Sequence, residues 1–144
     1  MKVYVAGPMR GIAEFNFPAF LQAQAELEGQ GHNVFNPAMR DIATGFEWQG
    51  LTGHEDLNDG THQFSLREAL GADTAYIAAD ADAVCVLPGW SASRGARAEV
   101  ALAAALGLQT GYLEQFEADA LQPATEFWDQ FFAESVLLDE ASAR

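Results

Sequence analysis

The chain holds a single cysteine, Cys85, among 144 residues, so no disulfide framework can staple it. That cysteine lies inside an apolar, strand-like run, where packing accounts for it better than catalysis. A reducing compartment follows, and a cytoplasmic location is expected. Basic residues are also scarce, seven Lys and Arg against 21 Asp and Glu, for a net charge of -14. Such a balance argues against coating a nucleic-acid polymer or sitting on an anionic membrane. No apolar run approaches the roughly 20 residues that span a bilayer. The chain enters its first strand directly, so no leader is expected. Neither the Gly-x-Gly-x-x-Gly dinucleotide fingerprint nor a Walker loop ending in Gly-Lys-Ser/Thr occurs. No internal repeat or low-complexity tract is visible.

About half of the residues are apolar, 49%, enough for a real core, and the length suits one domain over residues 1–144. Val3-Tyr4-Val5-Ala6 reads as a buried parallel-type strand ending at Gly7-Pro8. Asn16 is a candidate cap for a helix from Phe17 to about Gln30, with Pro18 in its first turn and Phe20, Ala23 and Leu27 in register. Gly31 stops it, His32 is a turn residue, and Val34-Phe35 form a short strand closed by Asn36-Pro37. Residues 38 to about 63 read as irregular, and a loop of that length in a compact domain is usually functional or mobile. Ser65 caps a helix from Leu66 to about Ala79, with an expected stripe of Leu66, Leu70 and Ile77. Ala83 to Leu87 is the clearest buried strand, and Gln109 to Leu113 the next. A last helix over about 125–142 carries Phe127, Trp128, Phe131, Phe132, Val136 and Leu137, a face that covers the sheet or forms a subunit interface. Strands alternate with helices, so the expected fold is α/β, a single-domain Rossmann-like (flavodoxin-like) parallel sheet of about four to five strands with helices on both faces. Ligands in such sheets bind beyond the carboxyl ends of the strands.

Two stretches map there. One is Tyr4 to Arg10, whose glycine-flanked arginine suits a phosphate, with a solvated loop arginine as the alternative. The other runs from Leu87 to Glu99, with Pro88, Gly89, Trp90, Ser91, Ser93, Arg94, Gly95 and Arg97, and resembles an anion-tolerant loop feeding a helix N-terminus. Glu99 stands in line with Leu102, Ala103 and Leu106 on the buried stripe of the following helix. It is either a carboxylate facing the core or a solvated one favoured by the helix dipole. Asp73 also falls on an apolar stripe, between Leu70 and Ile77, and an acid there needs partners. In the irregular region His54, Asp56, Asp59 and His62 match no metal motif, and no metal is expected. Its aromatic residues, Phe46 and Trp48, suit a lid over a flat ligand or plain loop packing.

Taken as a set, Tyr4-Val-Ala-Gly-Pro-Met-Arg-Gly11, Asn16-Phe-Pro-Ala-Phe20, Gly31-His-x-Val34, Asn36-Pro-Ala38, Arg67 with Asp73, Ala81-Asp82-Ala-Val84, Leu87-Pro-Gly-Trp90 and Ser93-Arg-Gly-Ala-x-x-Glu99 resemble the nucleoside 2-deoxyribosyltransferase-like proteins. The resemblance covers roughly residues 2–113. It implies an enzyme related to the nucleoside 2-deoxyribosyltransferases and the 2'-deoxynucleoside 5'-phosphate N-hydrolases. It implies Glu99 as nucleophile, Tyr4 as the residue that positions it, and Asp73 as a sugar contact or proton donor. It further implies substrate binding by Gly7, Met9, Arg10, Gly11, Pro88, Gly89, Trp90, Ser91, Ser93 and Gly95, with Arg10 and Ser93 the candidates for a 5'-phosphate. No cofactor is expected. The expected partner is a small deoxynucleoside or deoxynucleotide, and the expected assembly a homodimer or larger homo-oligomer. The alternatives are a non-catalytic nucleotide sensor on the same fold, and an interaction protein using its aromatic last helix.

Overall fold

The alternation of apolar side chains in β1 (Lys2–Ala6) decides how the molecule is layered. Val3 and Val5 point to one face of the sheet, and Tyr4 and Ala6 to the other. The computed structural model describes residues 1–132. In it, β1 pairs in parallel with β2 (Asn33–Phe35) on one side and β3 (Ala83–Val86) on the other. β4 (Gln109–Gly111) continues in parallel beside β3. A two-residue β5 (Gln122–Pro123) closes that edge antiparallel. The sheet is therefore five-stranded, ordered β2-β1-β3-β4-β5 and mostly parallel, as expected apart from the reversed edge strand.

Helices cover both faces. On the Val3/Val5 face lie α1 (Phe17–Gly29), α2 (Pro37–Ala43) and α5 (Leu113–Glu117), which bury Phe17, Phe20, Leu27, Ala38 and Phe116. On the Tyr4/Ala6 face lie α3 (Leu66–Ala79), α4 (Arg94–Ala105) and a last helix, α6, described over 124–132. They bury Ile77, Ala96, Val100, Ala103 and Phe127. Cys85 is fully buried in β3, and burial pushes its thiol up to about 12, in keeping with a packing role. No helix among the described residues is long and apolar enough to cross a membrane.

Local sequence accounts for most boundaries. Ser65 Oγ accepts the Glu68 N–H and Ser93 Oγ the Ala96 N–H, so both helices start where a hydroxyl satisfies an otherwise free amide. Asn16 differs from expectation. It adopts a left-handed φ of 62°, makes no cap bond, and instead donates from Nδ2 to Pro8 O at 2.9 Å. A capping side chain needs an extended backbone to reach the second or third amide, and Asn16 lacks one. α2 falls inside the stretch expected to be irregular. Asn36 Oδ1 accepts the Ala38 N–H at 2.9 Å and Pro37 supplies the fixed first turn, so Asn-Pro opens a helix as well as closing a strand. α5 was likewise not expected. Gln115 Oε1 accepts the Tyr112 N–H and ends β4 before Leu113.

Two stripes are also displaced. The buried line of α3 is Ala69, Asp73 and Ile77, while Leu66 is 54% exposed in the first turn, beyond the sheet. That of α4 is Ala96, Glu99, Val100 and Ala103, while Leu106 is 44% exposed at the C-terminal cap. In α6, Phe127 is buried against Trp90 and Tyr112. Phe131 stays partly exposed, and Val136 and Leu137 lie outside the described residues.

Candidate active site

The chain leaves β1 toward β2 on one side and later returns through β3 on the other, so the connections after β1 and β3 run to opposite faces of the sheet, to α1 and to α4. This is the switch point where open α/β sheets hold ligands. Gly7 and Leu87, the residues that follow the two strands, touch closely. A Cβ on Gly7 would stand 2.8 Å from Leu87 Cβ, so only glycine fits. Beyond them lies a cavity of about 790 Å³.

Tyr4 projects from the α3/α4 face of β1 and is fully buried. Its ring stacks on Phe35, with centroids 5.6 Å apart, and its hydroxyl donates to Glu99 Oε2. Glu99, in the second turn of α4, is 5% exposed, which settles its orientation toward the core. Asp73, on the neighbouring α3, is 6% exposed and lines the same cavity, and its Oδ1 has no hydrogen-bond partner among the described residues. Tyr4, Asp73 and Glu99 thus meet at one place.

Their surroundings hold protons on. Burial pushes Glu99 up to about 8, with the Asp73 charge adding to the shift and the Tyr4 hydrogen bond opposing it. Burial first and the Asp41 carboxyl second push Asp73 up to about 7, against Tyr4 and Arg40. Burial, then the two acids, push the Tyr4 hydroxyl well above its ordinary value. Asp41, on α2, also faces the cavity. It is 4% exposed and burial lifts it to about 6, although Arg40 Nη1 stands 3.4 Å from its Oδ1.

Of the residues singled out from sequence, Gly7, Met9, Arg10, Gly89, Ser93 and Gly95 line the cavity with the three above. Four do not. Trp90 is fully buried beside α6, its Nε1 donating to Tyr112 Oη at 3.2 Å. Pro88 is exposed, Ser91 half-buried, and Gly11 exposed with its N–H on Gly53 O. Arg10 reaches across the mouth, where its guanidinium donates to Glu55 O at 2.9 Å and His54 O at 3.4 Å. The loop it touches is docked tightly, because a Cβ on Gly53 would stand 2.0 Å from Ile12 O. Arg94 lines the cavity, whereas Arg97 lies over the Phe132 ring at 4.9 Å. Phe46 joins Phe15, Phe17 and Phe64 in an aromatic wall, and Trp48 packs on Phe17 outside it. Among the described residues no three His, Cys, Asp or Glu gather as a metal-holding group.

Sequence reasoning missed Asp41, Phe15, Phe17 and Phe64. The Asn-Pro start of α2 was the available signal for Asp41, since it places that residue one turn into a helix beside the strand tips. Phe15 had none. It sits at a φ of 52° in a left-handed run from Glu14 to Asn16, a conformation that non-glycine residues rarely string together.

Fold and site thus define a parallel α/β domain with buried acids at its switch point. Residues 1–112 match the family described as domain of unknown function DUF4406, and the chain belongs to that family. Neither the curated proteins nor the solved structures contain a match to it.

Proposed function

We propose that the protein cleaves the N-glycosidic bond of a 2'-deoxynucleoside or its 5'-monophosphate, as a member of a family allied to the nucleoside 2-deoxyribosyltransferase-like proteins. The sugar passes through an ester on Glu99 to another base or to water. The observation that carries the reading is the hydrogen bond from Tyr4 to Glu99 at a cavity that Asp73 also lines. Breaking this bond builds positive charge on the sugar. A carboxylate that traps the anomeric carbon divides one hard step into two. The O–H of Tyr4 favours the ionised Glu99 that must attack. Asp73, which retains its proton close to neutrality, supplies it to the departing base, an assistance worth about 10²–10⁴-fold. Arg10, Ser93 and the first amides of α4 suit a 5'-phosphate at the mouth, and the aromatic wall suits the base.

Incubation with each common deoxynucleoside and deoxynucleoside monophosphate, followed by chromatography for free base and intact-mass measurement, tests this. A deoxyribosyl adduct and base release are expected, and both should vanish in Glu99→Ala. Unchanged release in that variant would reject the assignment. A second reading, a nucleotide sensor without turnover, is favoured by the proton that Glu99 retains up to about pH 8, since a protonated carboxyl is no nucleophile. It requires calorimetric binding, no base release and little loss of affinity in Glu99→Ala. The proposal includes a homo-oligomer joined through α6, where Phe131 is 39% exposed beside Trp90 and Phe127.

A further inference from the structure

Tyr4, Asp41, Asp73 and Glu99 all line this cavity. Asp73 feels both Asp41 and Tyr4, and Glu99 feels Tyr4 and Asp73. Mechanisms of the kind proposed use three of them and leave Asp41 without a task. Yet Asp41 is as buried as Asp73 and faces the same cavity, from the adjacent helix α2. The two acids differ in their partners. Arg40 Nη1 lies 3.4 Å from Asp41 Oδ1 and forms the only salt bridge to either acid among the described residues. Among the described residues Asp73 has no cation of its own, and its buried Oδ1 has no hydrogen-bond partner.

Resting on the reading of Asp73 as proton donor, we propose that Asp41, held as a carboxylate by Arg40, is a positioning residue that keeps the proton on Asp73. Two carboxyls in one poorly solvated cavity cannot both ionise cheaply, and the one beside the guanidinium ionises first. The groups facing Asp73 are Asp41 and Arg40 from α2, Tyr4 from β1 and Glu99 from α4. Of these, only Arg40 is a cation, and its salt bridge goes to Asp41, leaving Asp73 the weaker pull. In the first step the proton leaves Asp73 for a base nitrogen while the C–N electron pair goes to the base. Glu99 Oε forms the ester bond to the anomeric carbon. With water as acceptor, its oxygen bonds to that carbon, its proton returns to Asp73, and Glu99 departs as carboxylate. The repulsion from Asp41 drives this return.

The test titrates the side-chain carboxyls of the full chain by carbon-13 NMR, in wild type, Asp41→Asn and Arg40→Met. In Asp41→Asn the Asp73 midpoint should fall by about one pH unit or more. In Arg40→Met, which leaves the cavity wall intact, the Asp41 midpoint should rise, so that Asp41 no longer ionises clearly ahead of Asp73. Kinetics on two substrates then separates proton delivery from general damage. Asp41→Asn should slow base release from the deoxynucleotide, on the alkaline side of the profile, by about tenfold for every pH unit that the Asp73 midpoint falls. It should spare 4-nitrophenyl 2-deoxyriboside, whose leaving group departs without a proton. An unmoved Asp73 midpoint in Asp41→Asn overturns the inference, as do an unmoved Asp41 midpoint in Arg40→Met and equal slowing on both substrates. No turnover of either substrate by wild type sinks the proposed function instead, and the midpoints alone then decide the carboxyl pair.

Discussion

Glu99 illustrates how much one hydrogen bond changes at a buried acid. Burial alone makes it a poor nucleophile near neutrality, and the Tyr4 hydroxyl is the one partner that favours its anion. Hydrogen bonds to charged groups are worth about 1.5–3 kcal/mol, or roughly one to two pKa units. Tyr4→Phe should therefore shift the upper limb of kcat/KM, which follows Glu99, to higher pH by about one to two units and lower the plateau, measurable with any released base. In the wild type that profile should be bell-shaped, with limbs near the values of Asp73 and Glu99, about 7 and about 8, belonging to the coupled pair. The same groups bear on stability. Asp41, Asp73 and Glu99 all ionise later in the fold than in the unfolded chain. Their contribution is therefore full below the ordinary carboxyl range and is lost as pH rises through about 6, 7 and 8. Glu99→Gln, which carries no charge to bury, should be the more stable protein at pH 8 by at least about 1 kcal/mol, read from thermal melts at pH 5 and pH 8.

The elements set where these side chains stand. α3 and α4 lie on one face of the sheet, and each presents an acid from its buried stripe toward the end of β1. α2 brings the third acid from the other side of the strand tips. Its start depends on Asn36, which accepts the Ala38 amide and donates to Phe20 O and Gln24 Oε1 while only 4% exposed. Asn36→Ala should cost about 1–2 kcal/mol, seen as a lower denaturant midpoint with faster amide exchange over residues 37–43. Since that helix carries Asp41, base release should fall too. Capping was legible for α3 because Ser65 stood before an apolar period, whereas the Ser93 cap of α4 emerged only in the structure. The cap of α2 was not legible either, because Asn-Pro closes strands as readily as it opens helices and only packing against α1 separates the two.

At the scale of the molecule, the sheet order places a cavity between the helices of the two faces, lined by an aromatic wall and by Arg10 and Arg94. The chain as a whole carries a net charge of -14, so an anionic substrate would be drawn by the local arginines and helix amides. Binding of a deoxynucleoside monophosphate should therefore tighten as salt screens the distant carboxylates, until the direct contacts weaken in turn. Assembly belongs to this scale as well. Sedimentation velocity should show a dimer or larger species for the wild type, and Phe131→Ser should dissociate it without lowering the melting temperature of the fold. A wild type that sediments as a monomer at micromolar concentration would exclude the interface.

Sequence by itself determined the α/β alternation, the mostly parallel sheet, the serine cap of α3, and the two acids worth watching. These follow from local periodicity and from chemistry within a few residues. Tertiary structure decided which way Glu99 faces, that Trp90 belongs to the core and Arg97 to Phe132, and that Asp41 joins the acids. Those depend on which faces of separate helices are pressed together, and no window of the chain contains both sides of such a contact.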